Sequence, residues 1–194
     1  MTKLRQTPSQ TVGPYFAYGL VPEQYGYQQN LTSIAGSRMA EGDSEGERIR
    51  VEGRVFDGVG NPISDALIEI WQADSLGRYA HPADPRGSNN TFKGFGRCGT
   101  GTDPQFRFWF ETIKPGKVDG QAPHLNVIVS MRGMLLHAFT RIYFPGEPAN
   151  ATDKVLNAVP PGRRETLIAT RLGGNVYRFD IHMQGDKETV FFDA

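Results

Sequence analysis

Apolar and polar side chains alternate along several short stretches after position 47, and this period of two residues is typical of half-buried β-strands. In the first such stretch, Ile49, Val51 and Val55 alternate with charged residues. Stretches with the same alternation, or with a short apolar run, occupy positions 67–71, 106–110, 124–129, 136–144, 177–183 and 189–192. Turn-forming pairs such as Asp57-Gly58 separate them. The pattern predicts an all-β protein built as a single β-sandwich.

The first 47 residues differ from the rest because they are rich in Gly, Pro, Gln and Ser and show little periodicity. They predict an extended N-terminal arm with one short helix. An arm with so few apolar residues cannot form a core of its own, so we expect it to pack on a partner chain. Residues 48–194 then form the β-sandwich core domain, with a further short helix at 163–171 and no internal repeat.

Positions 80–104 are dense in Gly, Pro, Asn and Asp, and they predict a long loop of the kind that often carries function. Within it, GFGRCG at 94–99 formally matches the Gly-rich motif of dinucleotide-binding folds. No apolar strand precedes this segment, and GTDP at 101–104 cannot open the helix that the motif requires, so we interpret it as loop. The chain also has no G-x-S-x-G nucleophile elbow and no C-x-x-C pair.

Charge and composition narrow the classes of partner. The chain has 21 basic and 21 acidic side chains and a formal net charge of zero, which favours neither nucleic acid nor an anionic membrane surface. No apolar run is long enough to span a membrane, and MTKLRQTPSQ lacks the apolar core of a signal peptide, so a cytoplasmic location is expected. The single cysteine, Cys98, excludes an intrachain disulfide and is expected to be a small buried side chain.

The segment QAPHLNVIV at 121–129 carries the chemistry that is most open to interpretation. Residues two apart on a strand project to the same face, so His124 and Asn126 lie side by side while Leu125 and Val127 point into the core. A His-x-His pair on a strand would offer two imidazoles to one metal ion, but here the second position is a carboxamide. The pattern alone leaves three interpretations: a metal site, the remnant of one, and a polar edge without chemistry.

A series of motifs in a fixed order resembles the intradiol ring-cleavage dioxygenases. The series consists of TPSQTVGPYF at 7–16, VEGRVFD at 51–57, NPI at 61–63, EIWQAD at 69–74, GRY at 77–79, GFGR at 94–97, TIKPG at 112–116, APH at 122–124, RIYF at 141–144, YRFD at 177–180 and ETVFF at 188–192. Any one motif is weak, but their joint order covers nearly the whole chain. The resemblance implies the β-sandwich of that family, whose architecture is transthyretin-like.

The resemblance also implies a cofactor, which is a non-haem ferric ion held by two tyrosines and two histidines in the catalytic chains of the family. Anionic phenolates and imidazoles suit a hard ferric ion. Here the second tyrosine position falls on Val118, no tyrosine occurs from position 80 to 120, and Asn126 replaces the partner of His124. Tyr79 belongs to the GRY motif itself and is not counted as a ligand. We therefore expect no metal in this chain, with Val118, His124 and Asn126 as relic positions and with the His124–Asn126 pair hydrogen-bonding locally.

Within the family, the resemblance is to the non-catalytic alpha chains of two-chain members, which cleave 3,4-dihydroxybenzoate with O2 to 3-carboxy-cis,cis-muconate. It implies a beta chain of similar fold as partner, in a higher alpha–beta oligomer, with Fe3+ bound by the beta chain. It also places Gly13, Pro14 and Arg132 against the substrate in the site of that beta chain. A benzoate carboxylate needs charge-assisted partners, and a Gly-Pro turn permits close approach of the backbone.

Plainer interpretations stay open beside this one. Gly13-Pro14 is an ordinary turn in many proteins, and an arginine before a glycine, like Arg132, is often a solvated hairpin residue. A stand-alone dioxygenase of the same fold is one rival, and the missing tyrosines argue against it. A β-sandwich small-molecule binding module, such as a transthyretin-like carrier, is the other. Such a module would work alone, without a partner that contributes a ferric chromophore.

Overall fold

The structure is a computed structural model, and it describes residues 10–13, 15–27, 35–40, 42–87 and 92–193. Two β-sheets and a few short helices make up this part of the chain. None of its helices has the length and apolar character needed to cross a membrane.

Nine strands are distributed over the two sheets in the described part of the chain. The first sheet has the order β4-β1-β8-β7, with β9 also paired to β1; its strands are β1 (Arg48–Phe56), β4 (Arg107–Ile113), β7 (Thr170–Gly173), β8 (Val176–Arg178) and β9 (Ile181–His182). The second sheet has the order β3-β2-β5-β6; its strands are β2 (Leu67–Trp71), β3 (Phe95–Gly99), β5 (His124–Ser130) and β6 (Ala138–Tyr143). The pairs β8–β1 and β9–β1 are parallel, and the others are antiparallel.

The inner faces of the two sheets form one hydrophobic core. Val51 of β1 and Phe108 of β4 come from the first sheet, while Ile70 of β2 and Val127 of β5 come from the second, and all four are buried in one cluster. Period-two alternation aims these apolar side chains at the same interior. The predicted all-β sandwich is therefore confirmed, as are the strands expected at 48–55, 67–71, 106–110, 124–129 and 136–144.

The described residues of the arm pack partly on the chain itself. A short helix, α1 (Phe16–Leu20), is followed by a 3₁₀ helix (Pro22–Tyr25). Ala17 and Val21 are buried against Leu67 at the start of β2, so this segment covers one end of the second sheet. The expected short helix in the arm is confirmed.

The prediction of a continuous loop at 80–104 is wrong in part, because Phe95–Gly99 forms the edge strand β3. Its backbone pairs antiparallel with β2, from Trp71 opposite Phe95 to Leu67 opposite Gly99. Backbone hydrogen bonds need no apolar side chain, so a strand with two glycines shows no alternation in the sequence. Cys98 on this strand is buried, as expected, and burial raises the pKa of its thiol to about 11.

The C-terminal elements also differ from the prediction. The expected helix at 163–171 is instead a 3₁₀ helix (Pro161–Leu167) followed by β7, and the α-helix of this region is α2 (Lys154–Ala158). The Asp153 side chain caps α2 by accepting a hydrogen bond from the Leu156 backbone N–H, a signal that the apolar pattern does not carry.

The strand expected at 177–183 is split into β8 and β9. Asp180 interrupts it, because its carboxylate accepts a hydrogen bond from the backbone N–H of Arg54 on β1. The stretch at 189–192 makes a single bridge, between Phe192 and Phe139, rather than a strand. Gly53 on β1 has no room for a side chain, because a Cβ there would lie 1.7 Å from the carbonyl oxygen of Phe179 in the segment between β8 and β9.

Candidate functional site

One end of the second sheet carries three positions at which the family resemblance implies metal ligands, Val118, His124 and Asn126. Tyr79, which contacts Asn126, lies at the same end, and we call these four residues the sheet-end site. His124 begins β5, and Asn126 lies opposite Trp71, the last residue of β2. Trp71, Tyr79 and Val118 line an open cleft of about 660 Å³ beside them. The predicted inward orientation of Leu125 and Val127 is observed, since both are buried in the core.

The two polar side chains of β5 use their hydrogen-bonding groups locally. His124 is only 3% exposed, and its Nδ1 donates to the backbone carbonyl of Ala122 at 2.7 Å. Burial lowers the pKa of His124, so the imidazole is neutral near pH 7. The Asn126 amide donates to the carbonyl of Trp71 at 3.3 Å and to the hydroxyl of Tyr79 at 3.4 Å.

Tyr79 is a member of the sheet-end site that sequence reasoning did not count. Its ring stacks on Trp71 with centroids 5.8 Å apart and an interplanar angle of 8°. Burial raises its pKa, which favours the neutral phenol over the phenolate that a ferric ion needs. The sequence signal that could have identified Tyr79 was its position after the turn from Asp74 to Arg78. This turn folds the chain back over the end of β2.

The donor set of the sheet-end site does not fit a ferric ion. It offers one imidazole, one neutral phenol, one carboxamide and the apolar side chain of Val118, where a ferric ion prefers several anionic oxygen donors. Within the described part of the chain, no three His, Cys, Asp or Glu side chains lie close enough to hold a metal ion. The chemistry left to this site is hydrogen bonding within the chain.

A second cleft lies at the opposite end of the same sheet. We call it the arm cleft; its volume is about 270 Å³, and its lining residues include Gly13, Phe16, Tyr18, Asp65 and Arg132. The structure therefore brings together two of the three residues predicted to face a substrate, although they are 119 positions apart. The third, Pro14, lies outside the described residues.

One hydrogen bond holds the arm against the turn between β5 and β6, and a second lies within the arm. The hydroxyl of Thr11 accepts a hydrogen bond from the Gly133 backbone N–H at 3.0 Å, and the Gly13 carbonyl accepts one from the Phe16 backbone N–H at 3.1 Å. Gly13 itself is exposed, and a Cβ added there would meet no atom within 4 Å beyond its chain neighbours. Nothing in the described chain therefore requires a glycine at this position.

Arg132 supplies the positive charge of the arm cleft. Its Nε donates to the Asp65 carboxylate, and the side chains of Arg132 and Asp65 are 62% and 32% exposed. An exposed guanidinium is a planar donor that suits a carboxylate. Exposed apolar side chains flank the cleft in sequence, with Tyr15 beside Gly13–Pro14 and Leu135 and Leu136 just after Arg132.

Comparison with known proteins agrees with this architecture. A family model described as Dioxygenase matches residues 24–185. The chain is 54% identical to the protocatechuate 3,4-dioxygenase alpha chain of Burkholderia cepacia, over the full length of both proteins. It is 36% identical to the protocatechuate 3,4-dioxygenase beta chain of the same species, over 80% of this chain and 72% of that one.

A solved structure shows the same fold at lower identity. The dioxygenase domain of a dioxygenase–carbohydrate-binding protein fusion from Streptomyces sp. SirexAA-E superposes with a TM-score of 0.63 at 24% identity, covering 95% of this chain and all of that one. The family model and the full-length relative agree with the family that the motif order indicated, and the solved structure agrees with the two-sheet sandwich. The chain belongs to the intradiol ring-cleavage dioxygenase family.

Proposed function

We propose that this chain is the non-catalytic alpha subunit of a protocatechuate 3,4-dioxygenase. The complex cleaves 3,4-dihydroxybenzoate with O2 to 3-carboxy-cis,cis-muconate at a ferric ion bound by the beta chain. The observation that carries the proposal is the contrast between the two ends of one sheet. The sheet-end site lacks the donors of a ferric site, while the arm cleft joins Gly13 and Arg132 at the surface.

The arm cleft suits a role that a second chain completes. Arg132 presents its charge toward solvent rather than toward the core of this chain. Gly13 has open space around it, so the reason for a glycine lies in a group that approaches from outside. In the proposed complex, Arg132 binds the substrate carboxylate through charge-assisted hydrogen bonds, and the backbone at Gly13 and Pro14 lies against the substrate.

The exposed apolar side chains that adjoin the cleft residues in sequence support a partner chain on this surface. Tyr15 is 80% exposed, and Leu135 and Leu136 are each 66% exposed. Large apolar side chains grouped near a candidate site are typical of surfaces that another protein covers. The relatives named alpha and beta chains make a beta chain of similar fold the proposed partner, in a higher alpha–beta oligomer.

The proposal includes a cytoplasmic location. The chain has a single cysteine, so its fold needs no disulfide and suits a reducing compartment.

Substitution of Arg132 tests the proposal in the assembled complex. Arg132→Ala is expected to lower kcat/KM for 3,4-dihydroxybenzoate by about 10- to 150-fold, because a charge-assisted hydrogen bond to the carboxylate is lost. The loss is expected to be smaller for catechol, which has no carboxylate, and the iron content is expected to stay unchanged. Arg132→Lys is expected to restore part of the activity, because it keeps the charge without the planar fork.

Arg178→Ala is the matched control, since Arg178 is also an exposed arginine paired with one aspartate, Asp180, but lies on the other sheet. Arg178→Ala is expected to leave kcat/KM unchanged for both substrates. An equal loss for 3,4-dihydroxybenzoate and catechol in Arg132→Ala, or no loss, would show that Arg132 is a solvated hairpin residue and would contradict the proposed role.

A further inference from the structure

Asp65 is the acidic residue that shapes the arm cleft, and no motif in the sequence singles it out. It lies in the turn that precedes β2, and its carboxylate accepts a hydrogen bond from Nε of Arg132, 67 positions away. Among the described residues, it is the acidic partner with which Arg132 forms an ion pair. A charge placed so close to the predicted carboxylate-binding arginine either competes with the substrate or orients the arginine for it.

The turn that carries Asp65 is fixed by a buried threonine. The hydroxyl of Thr100 donates to the Ile63 carbonyl at 2.8 Å and accepts from the Ala66 backbone N–H at 3.1 Å. The Thr100 backbone N–H also donates to the Ala66 carbonyl at 2.9 Å, and Thr100 is fully buried. Asp65 lies between Ile63 and Ala66, so its backbone position is set by the core of the sheet rather than by solvent.

The atoms that form the ion pair indicate whether Asp65 competes with the substrate carboxylate or orients Arg132 for it. Within the described part of the chain, Asp65 engages Nε, at the inner end of the guanidinium, and leaves the terminal nitrogens Nη1 and Nη2 as donors for another acceptor. Two parallel N–H groups are the arrangement that binds a carboxylate bidentately. Without Asp65, an arginine side chain that is 62% exposed would sample many rotamers and lose that entropy on binding.

We propose that Asp65 is a positioning residue for substrate recognition: it holds Nε of Arg132 so that the two terminal nitrogens are presented to the carboxylate of 3,4-dihydroxybenzoate. The inference rests on the proposed function, since it assigns the orientation of the same arginine. It identifies the ion pair, rather than Arg132 alone, as the unit that selects a carboxylated catechol over catechol.

The test compares Asp65→Ala and Asp65→Asn in the assembled complex. Asp65→Ala removes the acceptor and is expected to raise KM for 3,4-dihydroxybenzoate by about 2- to 10-fold, the cost of ordering one long side chain, with kcat nearly unchanged. KM for catechol is expected to stay the same. Asp65→Asn keeps an acceptor oxygen for Nε and is expected to restore KM to the wild-type value or slightly below it, because a negative charge near the anionic substrate is removed.

A double variant separates positioning from an independent effect. Asp65→Ala combined with Arg132→Ala is expected to bind 3,4-dihydroxybenzoate no worse than Arg132→Ala alone, because Asp65 acts only through that arginine. Additive losses in the double variant would overturn the inference. So would a lower KM in Asp65→Ala, which would make Asp65 a competitor of the substrate, or equal changes for both substrates.

The outcomes also distinguish this inference from the proposed function. A loss in Arg132→Ala without a change in Asp65→Ala would leave the role of Arg132 standing and overturn the role of Asp65. No loss in Arg132→Ala would overturn both.

Discussion

The two ends of the second sheet differ in how their polar groups are satisfied. At the sheet-end site, His124 is buried and its Nδ1 is paired with a carbonyl of the same segment, while Asn126 donates to two neighbouring groups of the chain. At the arm cleft, Arg132 is exposed, and among the described residues it pairs with Asp65 through Nε and not through its terminal nitrogens. The polar groups of the first end are paired within the chain, while the arginine at the second end is exposed to solvent.

The same strands support both ends, so the difference lies in the residues and not in the scaffold. Asn126 and Ser130 of β5 pair with the two ends of β2, about 13 Å apart along the strand. Under the proposed function, one scaffold therefore lacks metal-ligand chemistry at one end and contributes to a shared site at the other. Four predictions test this contrast and are given in order of decreasing effect.

The largest effect concerns iron. The purified chain alone is expected to bind no ferric iron and to show no ring-cleaving activity, because the sheet-end site offers one imidazole and one neutral phenol. Asn126→His is expected to change neither result, since two imidazoles without phenolates remain a poor ferric site. Metal analysis and the phenolate-to-iron absorption band are the measurements, with the alpha–beta complex as positive control. Stoichiometric iron in the isolated chain would contradict the contrast directly.

The next effect is on stability, at the buried network that supports the sheet-end site. The Asp153 carboxylate accepts hydrogen bonds from the backbone N–H groups of Ala122 and Leu156 and from the Tyr143 hydroxyl. Asp153→Ala removes a helix cap and leaves buried donors unpaired, so a loss of about 2–4 kcal/mol is expected. This corresponds to a melting temperature lower by about 4–16 °C for a chain of this size.

Asp186→Ala is the control for that change, because Asp186 is an exposed carboxylate. It is expected to alter stability by less than about 0.5 kcal/mol. In the folded complex at low temperature, Asp153→Ala is expected to retain KM for 3,4-dihydroxybenzoate, since the network lies away from the arm cleft. A selective rise in KM without destabilisation would show that the sheet-end network takes part in substrate binding.

Gly13→Ala is expected to change substrate binding and not stability, which is the reverse of the expectation for Asp153→Ala. A Cβ at this position meets no atom within 4 Å in the chain, so the melting temperature of the isolated chain is expected to stay the same. In the complex, the added methyl group is expected to raise KM by about 5- to 100-fold for 3,4-dihydroxybenzoate and for catechol. In the proposed site this methyl group would overlap the aromatic ring of the substrate. Gly162→Ala is the matched control, since Gly162 also has open space around it. Unchanged kinetics in Gly13→Ala would remove Gly13 from the substrate site.

The smallest effect is a pH dependence at His124. Burial, and secondarily the charge of Arg141, lower its folded-state pKa below the ordinary value, while the Ala122 carbonyl and Asp153 act in the opposite direction. Between the two pKa values the unfolded chain binds more protons, so stability is lost as pH falls below about 6.5, by at most about 1.4 kcal/mol per pH unit.

His124→Gln is expected to flatten this part of the pH profile. The measurement is the melting temperature of wild type minus that of the variant, from about pH 5 to pH 7.5, so that other titrating groups cancel. A difference that stays constant across this range would show that His124 is protonated alike in both states.

The local pattern of the amino-acid sequence was sufficient to predict the sandwich and most of its strands. Alternation between polar and apolar side chains is a local property, and it was sufficient for β1, β2, β4, β5 and β6. It was not sufficient for β3, where Gly96 and Gly99 conceal a strand that backbone pairing with β2 creates. The family motifs, and the lack of iron ligands at Val118 and Asn126, were also readable without coordinates.

The contacts between residues far apart in the sequence depend on the three-dimensional arrangement of the strands and turns. Gly13, Asp65 and Arg132 share one cleft because α1 covers the end of the second sheet and because the turns before β2 and after β5 lie side by side. Tyr79 reaches Asn126 because the chain folds back over the end of β2. Sheet pairing and packing set these contacts, and they join positions 47 to 119 residues apart, which no local pattern encodes.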